Sequence, residues 1–173
     1  MQILEAIFNR RSIRRFSVVK KVEKDKVETL LKAAMSAPSA GNQQPWVFVV
    51  IDDESTLREI PSIHPYGAMF SQAPLGIVVC ADPSKEKHKG YWPQDCAAAV
   101  QNILLSTQAL GLEAVWCGLY PNEKPEAAVK ELLKIPAEIR AMALIAIGYS
   151  DAKGHPADRF DADKVHKNRW GGK

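Results

Sequence analysis

The strongest constraint on the fold of this chain is the segment from Asp95 to Leu110, DCAAAVQNILLSTQAL. Its alanines and leucines predict a helix, and Gly111 stands where a glycine commonly ends one. A helix that is apolar on every side must be covered on every side, which a single sheet face cannot do. We therefore expect a second copy of the chain to cover part of it. The apolar residues that surround this helix are Ala97, Val100, Ile103, Leu104 and Leu110.

The rest of the chain alternates between the periods of helices and strands. Short apolar runs predict buried strands over residues 46–51, 75–81, 114–120 and 141–150. Apolar residues at helical spacing predict helices over 2–9, 25–35 and 125–135. The first of these helices would carry Ile3, Leu4, Ile7 and Phe8 on one face. A chain of 173 residues suits one domain, so we predict a single α+β domain, 1–173, with helices around a central sheet.

Composition excludes several classes of function. The 23 basic residues are interspersed with 20 acidic ones, which argues against nucleic acid as a main partner. The three cysteines form no CxxC pair, so we predict neither a disulfide nor a zinc site. No segment is long and apolar enough to span a bilayer and no leader peptide is visible, so we expect a cytoplasmic protein without a membrane partner. The histidines lack metal-ligand spacing and are predicted at the surface or in loops: His64, His88, His155 and His166.

Two polar segments could carry chemistry. The first, RRSIRR at residues 10–15, offers four guanidinium groups and a hydroxyl that could bind phosphate oxygens. Taken alone, this segment favours a solvated basic stretch or a patch at a membrane surface over a phosphate site. The second, PSAGNQQPW at residues 38–46, places small and amide side chains directly before a strand. Amide groups can read the edge of a flat heterocycle, although an ordinary helix-to-strand connection would look the same.

Together the two segments resemble the nitroreductase family of flavoproteins. RRSIRRF followed about two dozen residues later by PSAGNQQPW is far more specific than either segment alone. The apolar helix 95–110 resembles the long central helix of that family, and AVWCGLY at 114–120 resembles its strand beside the flavin. IGYS and PADRFDADKVHKNRW resemble its closing strand and tail. The resemblance implies a mostly antiparallel central sheet flanked by helices, in an intertwined homodimer that binds FMN.

On the phosphate side of FMN, the resemblance assigns five residues. Arg10, Ser12 and Arg159 would grip the phosphate, and Arg11 would contribute mainly from its backbone. Arg14 would lie near the N1 and O2 atoms of the flavin, where a positive charge would stabilise the anionic reduced ring.

On the ring side, the resemblance assigns residues from two subunits. Pro38, Ser39 and Asn42 would come from the partner subunit and flank the flavin. The backbone amides around Cys117 and Gly118 would face N5, the atom that accepts hydride. From the residues alone, Cys117 is predicted to be a small core residue rather than a nucleophile, because it lies in an apolar strand.

The chain departs from the family pattern in two places. Many relatives carry a lysine two residues before the tail arginine, where this chain has Ala157. One phosphate contact is then missing or is supplied by Arg10 or Arg15. The chain also lacks the longer insertions after the second strand that cover the flavin in larger members.

The resemblance implies an oxidoreductase that passes hydride from NADH or NADPH through FMN to a nitroaromatic, a quinone or a similar acceptor. No GxGxxG motif follows a predicted strand, so a separate Rossmann site for the nicotinamide is not expected. Donor and acceptor would then use one flavin face in turn, in a ping-pong mechanism. The alternatives are a flavoprotein with another reaction, such as flavin fragmentation or reductive dehalogenation, and a non-catalytic flavin-binding module.

Overall fold

Helices and strands alternate along the part of the chain that the computed structural model describes, residues 3–152, 154–156 and 158–172. Among these residues no helix is both long enough and apolar enough to cross a membrane. The α-helices are α1 (Ile3–Asn9), α2 (Lys24–Met35), α3 (Glu54–Ile63), α4 (Trp92–Ala109) and α5 (Glu123–Leu132). The strands are β1 (Trp46–Ile51), β2 (Leu75–Ala81), β3 (Glu113–Gly118) and β4 (Arg140–Gly148).

The four strands form one antiparallel sheet in the order β1-β2-β4-β3. This confirms the predicted α+β class, and all four predicted strands are present, although Val47 and Val50 of edge strand β1 are exposed rather than buried. The predicted helices correspond to α1, α2, α4 and α5, although Gln2, where the first was predicted to begin, lies outside the described residues. Helix α3 was not predicted. Its start is capped by Asp53, whose Oδ2 accepts the Thr56 N–H at 2.8 Å.

The sheet is covered on both faces, so every residue of β2 is buried. The side chains of β4 alternate between two apolar clusters, as the pleat of a strand requires. Ala143, Ile145 and Ile147 pack in the cluster that contains α2 and α4, whereas Leu144 and Ala146 pack in the cluster that contains α3 and α5. Two helical layers therefore enclose one sheet.

Helix α4 is covered within a single chain to a greater extent than the sequence predicted. Val100, Ile103 and Leu104 are buried by α2 and by the sheet. Contrary to the prediction, these three residues are therefore not available to a second copy. Ala97 and Leu110 are only half-buried, so a partner over that part of α4 stays a prediction. The mainly apolar circumference of α4 reflects its position between helix α2 and the sheet, where opposite sides of the helix are buried inside one subunit.

Helix α1 carries an apolar surface that one chain leaves uncovered. Of its residues only Ala6 is buried, and its contact with the rest of the fold is made mainly with α4. An exposed apolar stripe of this kind is typical of a surface that another molecule covers. The stripe consists of Ile3, Leu4, Ile7 and Phe8, which are 43–72% exposed.

Candidate functional site

The basic segment that follows α1 is fixed against the sheet. The Ile13 N–H donates to the Ala114 carbonyl at 3.1 Å, and Ser12 forms a parallel bridge with the same residue of edge strand β3. Ile13 and Phe16 are buried, whereas Ser12 and Arg14 are exposed. The segment is thus held in an extended conformation that presents its polar side chains outward, unlike a freely solvated basic stretch.

Three guanidinium groups meet in a pocket of about 300 Å³. We call it the arginine pocket, defined by Arg10, Arg11 and Arg159. Burial lowers the pKa of Arg10, and the positive charges of Arg11 and Arg159 lower it further. Asp158 is the one acidic side chain in the lining, so the pocket carries net positive charge and would be relieved of repulsion by a bound anion. The remaining lining residues are Ile7, Phe8 and Phe160.

Arg11 is oriented by backbone groups on both sides of this pocket. Its Nε donates to the His155 carbonyl at 2.6 Å, and its Nη1 donates to the Arg10 carbonyl. Its Nη2 is buried and has no hydrogen-bond partner among the described residues. A buried donor without an acceptor is costly, so this nitrogen marks a place where an acceptor from a ligand would fit. Ala157, the predicted departure from the family pattern, lies outside the described residues.

The loop at residues 38–45 is held by a buried carboxylate in α4. Asp95 Oδ1 accepts the Ala40 N–H at 2.9 Å, and its Oδ2 accepts a Gln43 Nε2 proton at 2.7 Å. Gln43 and Asp95 are both buried, whereas Pro38 and Asn42 are exposed and Ser39 is half-buried. The network therefore fixes the loop while leaving the three predicted flavin contacts accessible.

Within one chain the arginine pocket and the 38–45 loop lie far apart. The loop leads into β1 at one edge of the sheet, and Ser12 lies beside β3 at the other edge. Three strand spacings separate these edges, roughly 14 Å. Trp46 is also at the end of the sheet where β4 begins, whereas Ala114 pairs with Ile147 near the end of β4. The two groups thus occupy opposite corners of one sheet.

The end of β3 is open above its backbone. A Cβ built on Gly118 would meet no atom within 4 Å, and the residue is exposed. Cys117 beside it is buried in the core, which confirms that prediction. Burial raises the pKa of the Cys117 thiol to about 11, against the opposing effect of the Arg14 charge. Cys117 is therefore a protonated core residue, and only the backbone here is accessible to a ligand.

His64 supports this backbone and was missed as a site residue. It lies in the loop that follows α3, as predicted, but it is only 3% exposed, whereas the other three histidines are exposed. The Tyr66 N–H donates to His64 Nδ1 at 3.1 Å, so the ring proton must be on Nε2, which donates to the Gly118 carbonyl at 3.0 Å. Nothing in the sequence indicated this role, because the partners of His64 are backbone groups, which leave no pattern of side chains to recognise.

A sequence model described as the nitroreductase family matches residues 7–64 and 63–149, and so includes the 10–15 segment, the 38–45 loop and all four strands. The chain belongs to the nitroreductase family. A relative from Methanothermobacter thermautotrophicus, provisionally named NADH dehydrogenase/NAD(P)H nitroreductase, is 43% identical over 98% of this chain and 88% of its own.

Two solved nitroreductase-like structures agree with this assignment. The first, from Clostridium acetobutylicum and provisionally named an NADH oxidase, is 43% identical, with a TM-score of 0.91 over 95% of this chain and 99% of its own. The second, named an FMN-dependent nitroreductase, is from Clostridium difficile. It is 31% identical, with a TM-score of 0.88 over 96% of this chain and 99% of its own. The nitroreductase fold thus extends over nearly the whole chain.

In this member of the family, Asp95→Asn is expected to lower the free energy of unfolding by about 1–3 kcal/mol, the cost of an unsatisfied buried donor. The NH₂ group of the new asparagine would face a second donor, either the Ala40 N–H or the Gln43 side-chain NH₂. Gln43 cannot turn over to compensate, because its Oε1 already accepts the Lys87 and His88 N–H groups. Denaturant unfolding and flavin content of the purified protein are the measurements.

The matched control for this substitution is Asp25→Asn. Asp25 occupies the first turn of α2, as Asp95 occupies that of α4, but it is exposed. Its substitution is expected to leave unfolding and flavin content nearly unchanged. Equal stability of the two variants would show that the Asp95 network does not hold the loop.

Proposed function

We propose that the chain is an FMN-dependent oxidoreductase that passes hydride from NADH or NADPH to a nitroaromatic, a quinone or a similar electrophilic acceptor. The observation that carries this function is the arginine pocket, with three guanidinium groups, one carboxylate and an unpartnered buried nitrogen on Arg11. Relatives named NAD(P)H nitroreductase and FMN-dependent nitroreductase support it. We also propose that the chain acts as a single FMN-binding domain.

In this proposal the pocket binds the FMN phosphate. Arg10, Ser12 and Arg159 contact it through their side chains, since guanidinium forks match phosphate oxygens. The Arg11 side chain is held by backbone carbonyls, which leaves its Nη2 and its own backbone for the ligand. A doubly charged phosphate would offset the mutual repulsion of the arginines, so binding and pocket stability are coupled.

The exposed end of β3 then accommodates the flavin ring. Bound FMN would supply hydride transfer at its N5 atom, which the Cys117 and Gly118 backbone would face. His64 fixes the Gly118 carbonyl, and the absence of a side chain on Gly118 leaves room for a flat ring. Arg14, exposed on the strand-like segment beside β3, would provide positive charge near N1 and O2.

We propose that the complete site forms in a homodimer. Pro38, Ser39 and Asn42 lie at the corner of the sheet opposite the arginine pocket, too far to share one flavin with it inside a single chain. The apolar stripe of α1 supports a second copy as the missing neighbour, because Ile7 and Phe8 belong both to this stripe and to the pocket lining. A copy that covers the stripe would therefore bring its own residues to the edge of the pocket.

The direct test is anaerobic reduction of the purified protein. We expect yellow protein that is bleached by NADH or NADPH and recoloured by a nitroaromatic or a quinone, with parallel lines in initial-rate plots because both substrates use the same place in turn. Colourless protein that does not take up added FMN would refute the proposed cofactor. Yellow protein inert to nicotinamides would favour a binding module or another flavin reaction, and intersecting lines would refute the ping-pong order.

A further inference from the structure

A second basic segment lies outside the arginine pocket, between β2 and α4. We call residues 85–91, KEKHKGY, the basic loop. Lys85, Lys87 and Lys89 are exposed, and among the described residues neither Lys87 nor Lys89 forms an ion pair. The Lys85 charge is partly balanced by Asp82. The pKa of the Asp82 carboxyl is lowered mainly by hydrogen bonds from Ser84 and, to a smaller extent, by the nearby Lys85 charge.

The one acidic residue of the basic loop does not neutralise its outer face. Glu86 is half-buried, and its Oε1 accepts the N–H groups of Gly90 at 3.0 Å and Trp92 at 2.9 Å. The carboxylate therefore serves to close the loop on itself. The ammonium groups of Lys87 and Lys89 remain as the uncompensated charges of this surface.

The basic loop is joined rigidly to the 38–45 loop. Gln43 Oε1 accepts the N–H groups of both Lys87 and His88 at 3.0 Å, and Gln43 is itself held by buried Asp95. The His88 ring lies directly on Gly41, where a Cβ would come within 2.5 Å of His88 Nε2. The two loops therefore act as one unit, in which the contacts of Lys87 and His88 are to Gln43 and Gly41, the residues on either side of the exposed Asn42.

We propose that the basic loop recognises a negatively charged group on the small molecule that exchanges electrons at the site. This inference rests on the proposed function, in which Ser39 and Asn42 flank the flavin of the other subunit. The lysines would then stand at the opening of that subunit's site. The anionic group could be a phosphate of the nicotinamide donor or a carboxylate of the acceptor, and in either case Lys87 and Lys89 provide its counter-charge.

The test compares the Lys87→Gln/Lys89→Gln variant with wild type, both carrying FMN. Titration calorimetry gives the dissociation constants of NAD⁺ and NADP⁺, which bind without reaction to the oxidised protein. Steady-state kinetics give KM for p-nitrobenzoate and for its neutral analogue p-nitrobenzamide. The control, Lys21→Gln/Lys24→Gln, removes two exposed lysines that precede and begin α2.

We expect the variant to weaken binding of an anionic ligand roughly tenfold, because each exposed ion pair is worth a factor of about three. This loss should shrink with added salt, since the Debye length is only about 8 Å at 0.15 M. Weaker binding of NAD⁺ or NADP⁺ would assign the anionic group to the donor. A higher KM for p-nitrobenzoate, with nicotinamide binding unchanged, would assign it to the acceptor. Unchanged anion binding, or equal losses for p-nitrobenzamide, would overturn the inference. Wild type that is not reduced by nicotinamides would instead refute the proposed function.

Discussion

The Arg10→Ala/Arg159→Ala variant is expected to purify as folded protein that retains little or no FMN. Each charge-assisted contact to the phosphate is worth about 1.5–3 kcal/mol, so losing both should weaken FMN binding roughly 10²- to 10⁴-fold. Folding should survive, because Arg10 is only half-buried, Arg159 is exposed, and their removal relieves repulsion within the pocket. The ratio of flavin to protein absorbance and the dissociation constant for added FMN measure the effect.

Two comparison proteins separate phosphate recognition from general loss of charge. Arg58→Ala/Lys32→Ala removes two cations that form exposed ion pairs on α3 and α2, and should keep wild-type flavin content. Arg10→Lys/Arg159→Lys keeps both charges but loses the guanidinium forks, so intermediate affinity is expected. If the double alanine variant binds FMN as tightly as wild type, the phosphate must bind elsewhere.

The second large effect is expected on helix α1. Ile3→Asp/Leu4→Asp places two charges in the exposed apolar stripe, so it should lower both the sedimentation coefficient and the bound FMN. Burial of apolar side chains contributes about 25 cal/mol per Å², and an interface that buries charges in their place loses this contribution and gains a desolvation cost. The separated subunit should remain folded, because both side chains are more than half exposed within one chain.

Val18→Asp/Val19→Asp is the control for this prediction. These two valines are as exposed as Ile3 and Leu4 but lie after the basic segment rather than on α1. The variant should sediment as wild type does and keep its flavin. A folded monomer with full FMN content from the α1 variant would show that one chain holds the whole site.

Charges at Ile103 or Leu104 would not test the dimer. The all-round apolar pattern of α4 suggested that these residues face a partner, but both are buried within the subunit. A charge placed there would enter the core and unfold the chain before it could report on an interface. The stripe on α1 is the better target because it is exposed in a single chain.

The strands could be predicted from the sequence because each is a nearly unbroken apolar run. Strand β2 is buried along its whole length, whereas edge strand β1 exposes Val47 and Val50 and is apolar all the same. Residues 46–51 and 75–81 were predicted with the bounds that the structure gives to β1 and β2. Helix α3 was missed because Pro61 lies inside it, near its end, where a proline usually argues against a helix. Its signals were the capping residue Asp53 and the helical spacing of Leu57 and Ile60.

Some residues of the candidate site could likewise be found from the sequence, and others could not. The arginines and the 38–45 loop could be found from sequence because their side chains are unusual in type and in spacing. Asp95 and Gln43 could not be assigned, since their function depends on a contact between residues 52 positions apart. A lone aspartate at the start of an apolar helix was the available signal, because a buried carboxylate needs donors. His64 gave no such signal.

The sequence by itself determined the local features of this protein: most of its secondary structure, its nitroreductase family and the basic residues that we propose bind a phosphate. These follow from short-range periodicity and from residue type, which a linear pattern contains. Only the tertiary structure decided that Ile103 and Leu104 of α4 are buried inside one chain, that the apolar stripe of α1 is not, and that the arginine pocket and the 38–45 loop lie at opposite corners of the sheet. Such features depend on which distant segments pack together, and burial is a property of the assembled layers rather than of any segment alone.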